Sequence, residues 1–347
     1  MAEGFAPWCC PLCGAPLAGD NALKCPSGHS FDRAKEGYWH LLPVQNTRTK
    51  APGDSREMVA ARRAFLSAGY YGIFGQALGE LCLAYGQPKA GKPLRLLDAG
   101  CGEGWYDRCI AKQFEEAGRP LELAGFDIAK PAVRLAAKAL PSARYAVASS
   151  FHQPVRTGWA DVLLNCFSPF AQEEFLRVLR PGGRLIYAVP GAEHLFQMKA
   201  VLYEKPYRNP VQEVEYPGFE AIGEREVSGS ITVPAGQLEA LFAMTPYYWK
   251  TPRDGAARLA ALPELTTDIS FRFLVFEKKQ TKKASAVRQM PFSLYEYIRQ
   301  GWKLVTCRPS VQMLFGPWAA GLHARGPGAG PDRGGRRRRW RPRCSRR

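Results

Sequence analysis

Short apolar segments alternate with amphipathic segments through the middle of this sequence. The apolar segments have the length and residue types of buried strands, and the intervening segments, such as the one from Tyr106 to Ala117, have apolar residues at helical spacing. This alternation predicts an α/β fold in which crossover helices connect the strands of a parallel, Rossmann-like sheet. The predicted strands are LRLLDAG, which begins at Leu94, and then LELAGFD, ARYAVA and ADVLLNCF.

The same patterns extend the fold on both sides of this region. EMVAARRAFLSAG, from Glu57, and IFGQALGELCLAYG, from Ile73, predict two helices that lead into the main domain. After the fourth strand, the helix EEFLRVL is expected to stop at residues 180–183, where Pro and Gly interrupt it, and RLIYAVP predicts another buried strand. HLFQMKAVLYE and GQLEALFAMT predict further helices, and ISFRFLVFEKK predicts late strands of the same sheet.

Composition divides the chain into four parts. A segment rich in Cys, Pro and Gly comes first, and a Gly, Pro and Arg tract comes last. The last tract lacks the apolar residues needed for a core, so we expect it to be disordered. The predicted boundaries are 1–42 for a small cysteine-rich module, 43–93 for a linker and the lead-in helices, 94–280 for the α/β domain and 281–347 for the tail.

The overall composition is that of a globular protein. The chain has 347 residues, of which 46% are hydrophobic, and this is enough to bury a large core. No apolar run is long enough to span a membrane, and the N-terminal sequence MAEGFAPWCC lacks the regions of a secretory signal. We therefore expect a cytoplasmic protein that does not associate with membranes.

The net charge of +17 is concentrated at one end of the chain. Residues 281–347 contain 16 of the 48 Lys and Arg residues and only Glu296 and Asp332 as acidic residues, a net charge of +14. Residues 1–280 therefore carry only the remaining +3. Affinity of the folded part for a nucleic acid must come from local patches rather than from its overall charge.

Four potential zinc ligands lie close together near the N-terminus. Cys10-Pro-Leu-Cys13-Gly and Cys25-Pro-Ser-Gly-His29 are two ligand pairs, each with a glycine beside or within it. Such turns let backbone amides point at the thiolates, and zinc takes four ligands in a tetrahedron. Because four protein ligands leave no position for a reacting water, we expect a structural zinc that stabilises the module.

Cys9 and disulfide formation leave alternatives to this assignment. Cys9 could replace Cys10 only by widening the first pair to C-x3-C, so we favour Cys10. The cysteines could instead be free or disulfide-bonded. Clustering of cysteines in a reducing compartment, however, points to a metal.

A glycine-rich turn follows the first predicted strand of the α/β domain. Asp98 lies at the end of this strand, and Gly100, Gly102 and Gly104 follow at G-x-G-x-G spacing, which lets the backbone approach a ligand closely. The dinucleotide fingerprint is instead G-x-G-x-x-G and faces a pyrophosphate, which Asp98 and Glu103 would repel. S-adenosylmethionine has no pyrophosphate, so the turn favours this cofactor.

Three further loops follow the later strands. Asp127 ends the second strand, 23 residues after Gly104, where its carboxylate can accept both ribose hydroxyls, although an Asp here could simply begin a turn. Residues 148–152 are expected along the adenine edge. Residues 165–170, Asn-Cys-Phe-Ser-Pro-Phe, are expected beside the methyl group, but they resemble the N-P-P-Y loop of base methyltransferases too loosely to assign catalysis to Asn165.

Taken together, these motifs resemble the bacterial 23S rRNA guanine-N1 methyltransferases of the RlmA family. The resemblance covers residues 8–280 and includes, in order, CPLCGAPL, CPSGHSFD, AKEGYWHLLPVQ, PGDSREMVAARRAFLSAGYY and LLDAGCGEGWY. It implies methyl transfer from S-adenosylmethionine to N1 of a guanine in a domain II hairpin of 23S rRNA. It also implies a homodimer in which residues 1–42 form a zinc-binding module that recognises RNA.

The resemblance implies roles for individual residues as well. It assigns zinc to Cys10, Cys13, Cys25 and His29, and cofactor contacts to Tyr71, Gly102, Glu103 and His194. The residue pattern alone would make Tyr71 a packing aromatic and His194 a polar residue at a helix start. The loop at residues 165–170 differs from the family pattern, and the basic tail lies outside it.

Two other functions remain open from the sequence. A methyltransferase of small molecules would use the zinc module only structurally and would not bind RNA. A nonenzymatic RNA-binding module would have no need to keep Asp98, the glycine turn and Asp127 together. No motif identifies a general base, so no catalytic residue is assigned. RNA is favoured by the basic residues around the linker, which are Arg48, Lys50, Arg56, Arg62 and Arg63.

Overall fold

The computed structural model describes residues 7–43, 52–211 and 215–279 of the chain. The predicted disordered tail and part of the predicted linker lie outside these residues. Within them the strands are β1 (Ala22–Lys24), β2 (Ser30–Asp32), β3 (Tyr38–His40), β4 (Leu94–Ala99), β5 (Leu121–Asp127), β6 (Arg144–Val147), β7 (Ala160–Cys166), β8 (Leu179–Pro190), β9 (Phe219–Pro234) and β10 (Glu264–Lys278). The helices are α1 (Arg56–Ser67), α2 (Gly72–Tyr85), α3 (Trp105–Glu116), α4 (Lys130–Ala139), α5 (Gln172–Val178), α6 (Phe196–Leu202), α7 (Ala235–Ala243) and α8 (Arg253–Ala260), with a 3-10 helix at Pro246–Trp249.

One eight-stranded sheet organises the described chain, in the order β3-β6-β5-β4-β7-β8-β10-β9. The strands from β3 to β8 are parallel, whereas β10 runs antiparallel to β8 and β9 runs antiparallel to β10. The predicted α/β fold with a Rossmann-like sheet is therefore confirmed. None of the helices in the described part of the chain combines the length and apolar character needed to cross a bilayer.

Helices cover both faces of the sheet because the central strands are buried on both sides. All seven residues of β7 are buried, as are five of the six residues of β4. On one face, α2 and α3 pack over Leu96, Val162 and Ile186. On the other face, α5 and the N-terminal module pack over alternate residues of the same strands, such as Leu97 and Leu163.

Two features of the late strands differ from the expectation. The residues that were expected to interrupt the chain after α5 begin β8 instead, and the pairing with β7 shifts register between Ala160 and Val162 to accommodate them. The 16-residue strand β9 was not predicted at all. Most of its side chains are exposed or half-buried because it is the edge strand, so it lacks the apolar run of a central strand.

The N-terminal module is joined to the α/β sheet. β1 and β2 form a small antiparallel pair, but β3 pairs in parallel with β6, with Tyr38 opposite Tyr145. Trp8 is fully buried and bridges to Val155 of the α/β domain. The domain boundary at residue 42 stays a prediction, since the strand before it belongs to the main sheet.

Candidate metal centre and cofactor site

The structure brings together the four predicted metal ligands. One ligand atom from each of Cys10, Cys13, Cys25 and His29 lies within 4.8 Å of the others. The Sγ atoms of Cys13 and Cys25 are 3.7 Å apart, and His29 Nδ1 lies 3.5 Å from Cys10 Sγ and 3.3 Å from Cys25 Sγ. A zinc tetrahedron with ordinary bond lengths has edges of about 3.8 Å between sulfurs and about 3.6 Å between sulfur and nitrogen. The arrangement therefore fits zinc.

Two tight turns shape this centre. The N–H of Gly14 donates to the carbonyl of Cys10, and the N–H of Gly28 donates to the carbonyl of Cys25. Both glycines have positive φ, +73° and +84°, which side chains other than glycine rarely adopt. A hydrogen bond from the Ala15 backbone lowers the pKa of Cys13 to about 6, which favours the thiolate that zinc binds.

Cys9 does not join the centre. Its backbone N–H donates to Pro154 of the α/β domain, and among the described residues the metal cluster contains Cys10 instead. Burial raises the pKa of the Cys9 thiol, although Arg156 and Arg177 oppose this shift. The preference for Cys10 over Cys9 agrees with this geometry.

The candidate cofactor site lies where the strand order reverses. β4 has β5 on one side and β7 on the other, so the loops after β4 and β7 leave the sheet side by side at its carboxyl end. Ligands of open α/β sheets bind in the crevice at such a switch point. The loop after β4 is the predicted glycine turn, and the loop after β7 begins at Phe167.

All three glycines of the turn have positive φ. The angles are +99° at Gly100, +55° at Gly102 and +75° at Gly104. A Cβ at Gly100 would lie 2.5 Å from Ser168 Oγ, and one at Gly104 would lie 2.9 Å from Ala136 Cβ. A Cβ at Gly102 would meet no atom within 4 Å. Gly102 therefore borders open space, as the backbone next to a ligand requires.

Asp98 is a buried carboxyl group that lies beside the carboxyl group of Asp107. Its side chain is 1% exposed, and neither carboxylate oxygen accepts a hydrogen bond within the described part of the chain. Burial and the neighbouring carboxylate of Asp107 raise the pKa of Asp98 well above its ordinary value. An unsatisfied buried carboxylate is costly, so a ligand that brings a positive charge or hydrogen-bond donors fits this position.

Glu103 supplies a second unsatisfied acceptor in the same turn. Its Oε1 has no partner among the described residues, whereas Oε2 lies 3.4 Å from Arg108 Nη1. Burial raises the pKa of Glu103, and nearby arginine charges oppose this shift, from Arg108 on α3 and from Arg62 and Arg63 on α1. Helix α1 therefore lies beside the candidate cofactor site.

Asp127 holds the glycine turn in place. Its Oδ2 accepts a hydrogen bond of 3.0 Å from the N–H of Gly102, and its Oδ1 accepts one of 2.8 Å from the N–H of Ala129. The second bond begins a turn, which is the other role that the sequence allowed for Asp127. Each oxygen retains a second lone pair, so the predicted ribose contact is compatible with this geometry.

Tyr71 and His194 form a buried pair, although 123 positions separate them. Tyr71 Oη lies 3.2 Å from His194 Nε2, and the Ser270 N–H donates to His194 Nδ1. Because Nδ1 accepts, a neutral His194 carries its proton on Nε2 and donates it to Tyr71. The Tyr71 hydroxyl proton then remains for another acceptor, such as a ligand carboxylate.

The loop after β7 is fastened to the end of β4. Ser168 Oγ donates to the Ala99 carbonyl over 2.7 Å, and Asn165 Nδ2 donates to Ser168 Oγ and to the Pro169 carbonyl, both over 3.1 Å. Asn165 is fully buried, so its amide supports the loop.

The segment expected along the adenine edge, residues 148–152, follows β6, and its Phe151 side chain is 58% exposed.

The donor and acceptor set of this crevice fits S-adenosylmethionine. The buried acceptors of Asp98 and Glu103 suit the ammonium group, and the free lone pairs of Asp127 suit the ribose hydroxyls. The Tyr71 hydroxyl suits the carboxylate. The open space beside Gly102 leaves room for the cofactor to approach the backbone.

Residue patterns alone missed several contributors to this site. Tyr71 and His194 came only from the family resemblance, because nothing in the local sequence indicates that they meet. Asp107, fully buried and bonded to Tyr145 Oη over 2.8 Å, was also missed. Its position on the first turn of a helix gives no sign of burial. Phe167 lies in the loop at residues 165–170 that was expected beside the methyl group, but nothing in the sequence indicates its positive φ of +56°.

Comparison with known proteins identifies relatives of both the N-terminal module and the α/β domain. A family described as "RlmA, N-terminal" matches residues 8–50, and one described as "Methyltransferase domain" matches residues 97–187. The chain is 37% identical over 273 residues to the 23S rRNA (guanine(748)-N(1))-methyltransferase of Streptomyces fradiae, covering 76% of this chain and 94% of the relative.

Two further relatives are also named for guanine-N1 methylation of 23S rRNA. The one from Micromonospora griseorubida is 36% identical over 280 residues, covering 74% of this chain and 92% of the relative. The one from Bacillus subtilis strain 168 is 30% identical over 278 residues, covering 76% of this chain and 95% of the relative. The likeness thus extends across nearly the whole length of these proteins.

The choice between the two adjacent cysteines can be tested by metal content. We expect Cys10→Ser to lose zinc because it removes one of four ligands, and Cys9→Ser to retain about one zinc per chain. Zinc released from purified protein, measured by mass spectrometry, checks this. Equal zinc content in the two variants would contradict the assignment.

Burial of His194 makes stability depend on pH. Burial, followed by the charge of Lys199, lowers the pKa of His194 to about 3 from 6.5. The stabilising contribution of neutral His194 is complete above pH 6.5 and is lost as the pH falls toward 3, because only the unfolded chain binds the proton in that range. Between pH 7.5 and pH 5.0 we expect this residue to reduce the free energy of unfolding by about 2 kcal/mol.

Urea unfolding of His194→Gln at these two pH values measures this contribution. The variant should lose about 2 kcal/mol less than the original chain on acidification. An unchanged pH dependence in His194→Gln would show that the buried imidazole is not its source.

Proposed function

This chain belongs to the RlmA family of 23S rRNA (guanine-N1-)-methyltransferases, and we propose that it methylates N1 of a guanine in a domain II hairpin of that RNA. The target we favour is the nucleotide numbered 748 in the name of the Streptomyces fradiae relative. The main support is the 37% identity over 94% of that relative, which includes both the zinc module and the methyltransferase region. The reaction would take place in the cytoplasm.

We assign the zinc to Cys10, Cys13, Cys25 and His29. All four coordination positions are then protein ligands, so the zinc holds the module together and takes no part in methyl transfer. Because β3 of this module pairs with β6, the metal also fixes the module against the methyltransferase sheet. A rigid module of this kind can present a constant surface to an RNA hairpin.

We assign the cofactor to the crevice between the loops after β4 and β7. S-adenosylmethionine supplies a methyl group on a positively charged sulfur when it is bound. Asp98 and Glu103 would hold its ammonium group, Asp127 its ribose, and Tyr71, oriented by His194, its carboxylate. Gly100 and Gly102 would let the backbone come close.

Positioning is the main contribution that this chain makes to the reaction. The chain would hold the guanine so that N1, once its proton has passed to solvent, faces the methyl group that the cofactor would supply. The aromatic side chains around Phe74 and Tyr106 provide a dry surrounding, which would favour a reaction in which the charge of the bound cofactor is neutralised. We assign no general base.

We further propose that the chain acts as a homodimer on its RNA, as the resemblance to the family implies. Two copies would present two zinc modules to one RNA hairpin. Light scattering of the purified full chain, alone and with the hairpin, measures this state.

The function is tested by methyl transfer from labelled S-adenosylmethionine to unmodified 23S rRNA transcripts. Reverse-transcription stops locate the product, because methylation of N1 blocks Watson–Crick pairing. A stop at the favoured guanine supports the proposal. A stop at a neighbouring guanine of the hairpin supports the same reaction but assigns it to a different target nucleotide. Cofactor binding without any incorporation into RNA would instead support methylation of a small molecule.

The cofactor assignment is tested at Gly102 with Gly118 as a matched control. Both glycines have similar positive φ, +55° and +61°, and a Cβ at either would meet no atom within 4 Å. Substitution with Ala should therefore cost each variant a similar backbone penalty of about 1 kcal/mol. Only Gly102→Ala places a methyl group where the cofactor would lie.

We expect Gly102→Ala to weaken S-adenosylmethionine binding by about tenfold or more, and Gly118→Ala to leave it unchanged. Isothermal titration calorimetry measures the Kd, and thermal unfolding checks that the two variants are equally stable. Similar affinities in both variants would remove Gly102 from the cofactor site.

A further inference from the structure

Phe167 is a large apolar side chain that the fold leaves unusually exposed. Its exposed fraction is 46%, although the preceding residue, Cys166, is buried at the end of β7. Single exposed apolar residues are common and need no explanation by themselves. Phe167, however, lies at the switch point of the sheet, directly beside the loop that carries Gly100.

The backbone of Phe167 adopts a conformation that is unfavourable for its residue type. Its φ of +56° lies in the left-handed region, which costs an aromatic residue free energy that a glycine would avoid. The hydrogen bonds of Asn165 and Ser168 fasten the same loop to the end of β4. A strained conformation that the surroundings hold in place is typical of a functional position.

The ring of Phe167 rests on the aromatic cluster that contains the cofactor residues. Its centroid lies 5.3 Å from that of Phe74 and 6.0 Å from that of Phe271. Phe271 in turn contacts the rings of Tyr71, at 4.9 Å, and His194, at 4.7 Å. Packing on Phe74 and Phe271 therefore fixes the Phe167 ring, and the part of the ring that these contacts leave exposed is available to a ligand at the switch point.

We propose that Phe167 is the platform on which the target guanine stacks while its N1 faces the methyl group. This inference rests on the proposed function and names a substrate contact within it. An unpaired base offers an apolar face, and proteins commonly hold such bases on aromatic rings. The fixed backbone sets the height and tilt of the ring, which a reaction that depends on alignment requires.

The first test compares Phe167→Ala with Phe167→Tyr in the methylation of the 23S rRNA transcript. Loss of one base–aromatic stack should lower kcat/KM for Phe167→Ala by about 5- to 150-fold. Phe167→Tyr keeps the ring and should restore at least half of the original kcat/KM. Tyr248→Ala removes a similarly exposed aromatic ring, 44% exposed, from the 3-10 helix and should leave methylation unchanged.

Phe167→Gly separates a role in RNA binding from a role in stability. Glycine adopts positive φ freely, so Phe167→Gly should unfold at the same or a higher temperature than Phe167→Ala, which loses the same ring packing, while methylation falls equally in both variants. A lower unfolding temperature together with unchanged kcat/KM would show that the ring serves packing alone, and would overturn the proposal.

The affinity for S-adenosylmethionine distinguishes a contact of Phe167 with the target base from a contact with the cofactor. The Kd for S-adenosylmethionine, measured by calorimetry, should stay within about twofold in all three Phe167 variants, because the ring is assigned to the base. A loss of cofactor affinity as large as the loss of kcat/KM would make Phe167 a cofactor contact and overturn the proposal.

If the original chain methylates no RNA, the proposed function is wrong and the guanine platform is wrong with it. Normal methylation by Phe167→Ala would overturn the platform alone.

Discussion

The parallel pairing of β4 with β5 on one side and β7 on the other is the constraint on which the functional part of this molecule depends. A strand with parallel neighbours on both sides is buried on both faces, so its polar groups can be used only where it ends. Asp98 is the next-to-last residue of β4 and precedes the glycine turn, and Asn165 is the next-to-last residue of β7 and precedes the loop that contains Phe167. The pairing therefore brings two chemically different loops into one crevice without any direct attraction between their ligand-binding groups.

In the described part of the chain, the crevice contains polar groups without hydrogen-bond partners, and the strands are stabilised without them. Backbone pairing and packing stabilise the strands, so the fold can tolerate a buried Asp98 whose oxygens accept no hydrogen bond from the described residues. The free energy of that unsatisfied carboxylate becomes available for binding when a cationic ligand arrives. Support for the crevice comes instead from satisfied groups, such as Asp127 with its two backbone donors and Ser168 with the Ala99 carbonyl.

Sequence patterns predicted the elements whose signals are local. The central strands are continuous apolar runs, α1 and α3 have clear helical spacing, and the metal ligands lie within two short turns, so each could be identified from a few adjacent residues. β9 escaped prediction because an edge strand alternates weakly between exposed and half-buried positions. The Tyr71–His194 pair and the burial of Asp107 depend on contacts between distant segments, which no local pattern encodes. The strained backbone of Phe167 is likewise a product of its tertiary surroundings.

The pairing of β3 with β6 has a consequence for the solubility of the sheet. β6 would otherwise be an edge strand with a row of unpaired backbone donors and acceptors, a template on which another polypeptide can add a strand. β3 covers this edge, and β3 follows directly from a module that the zinc ligands hold together. We therefore expect loss of the metal to uncover an aggregation-prone edge, so that the zinc also guards the chain against intermolecular strand addition.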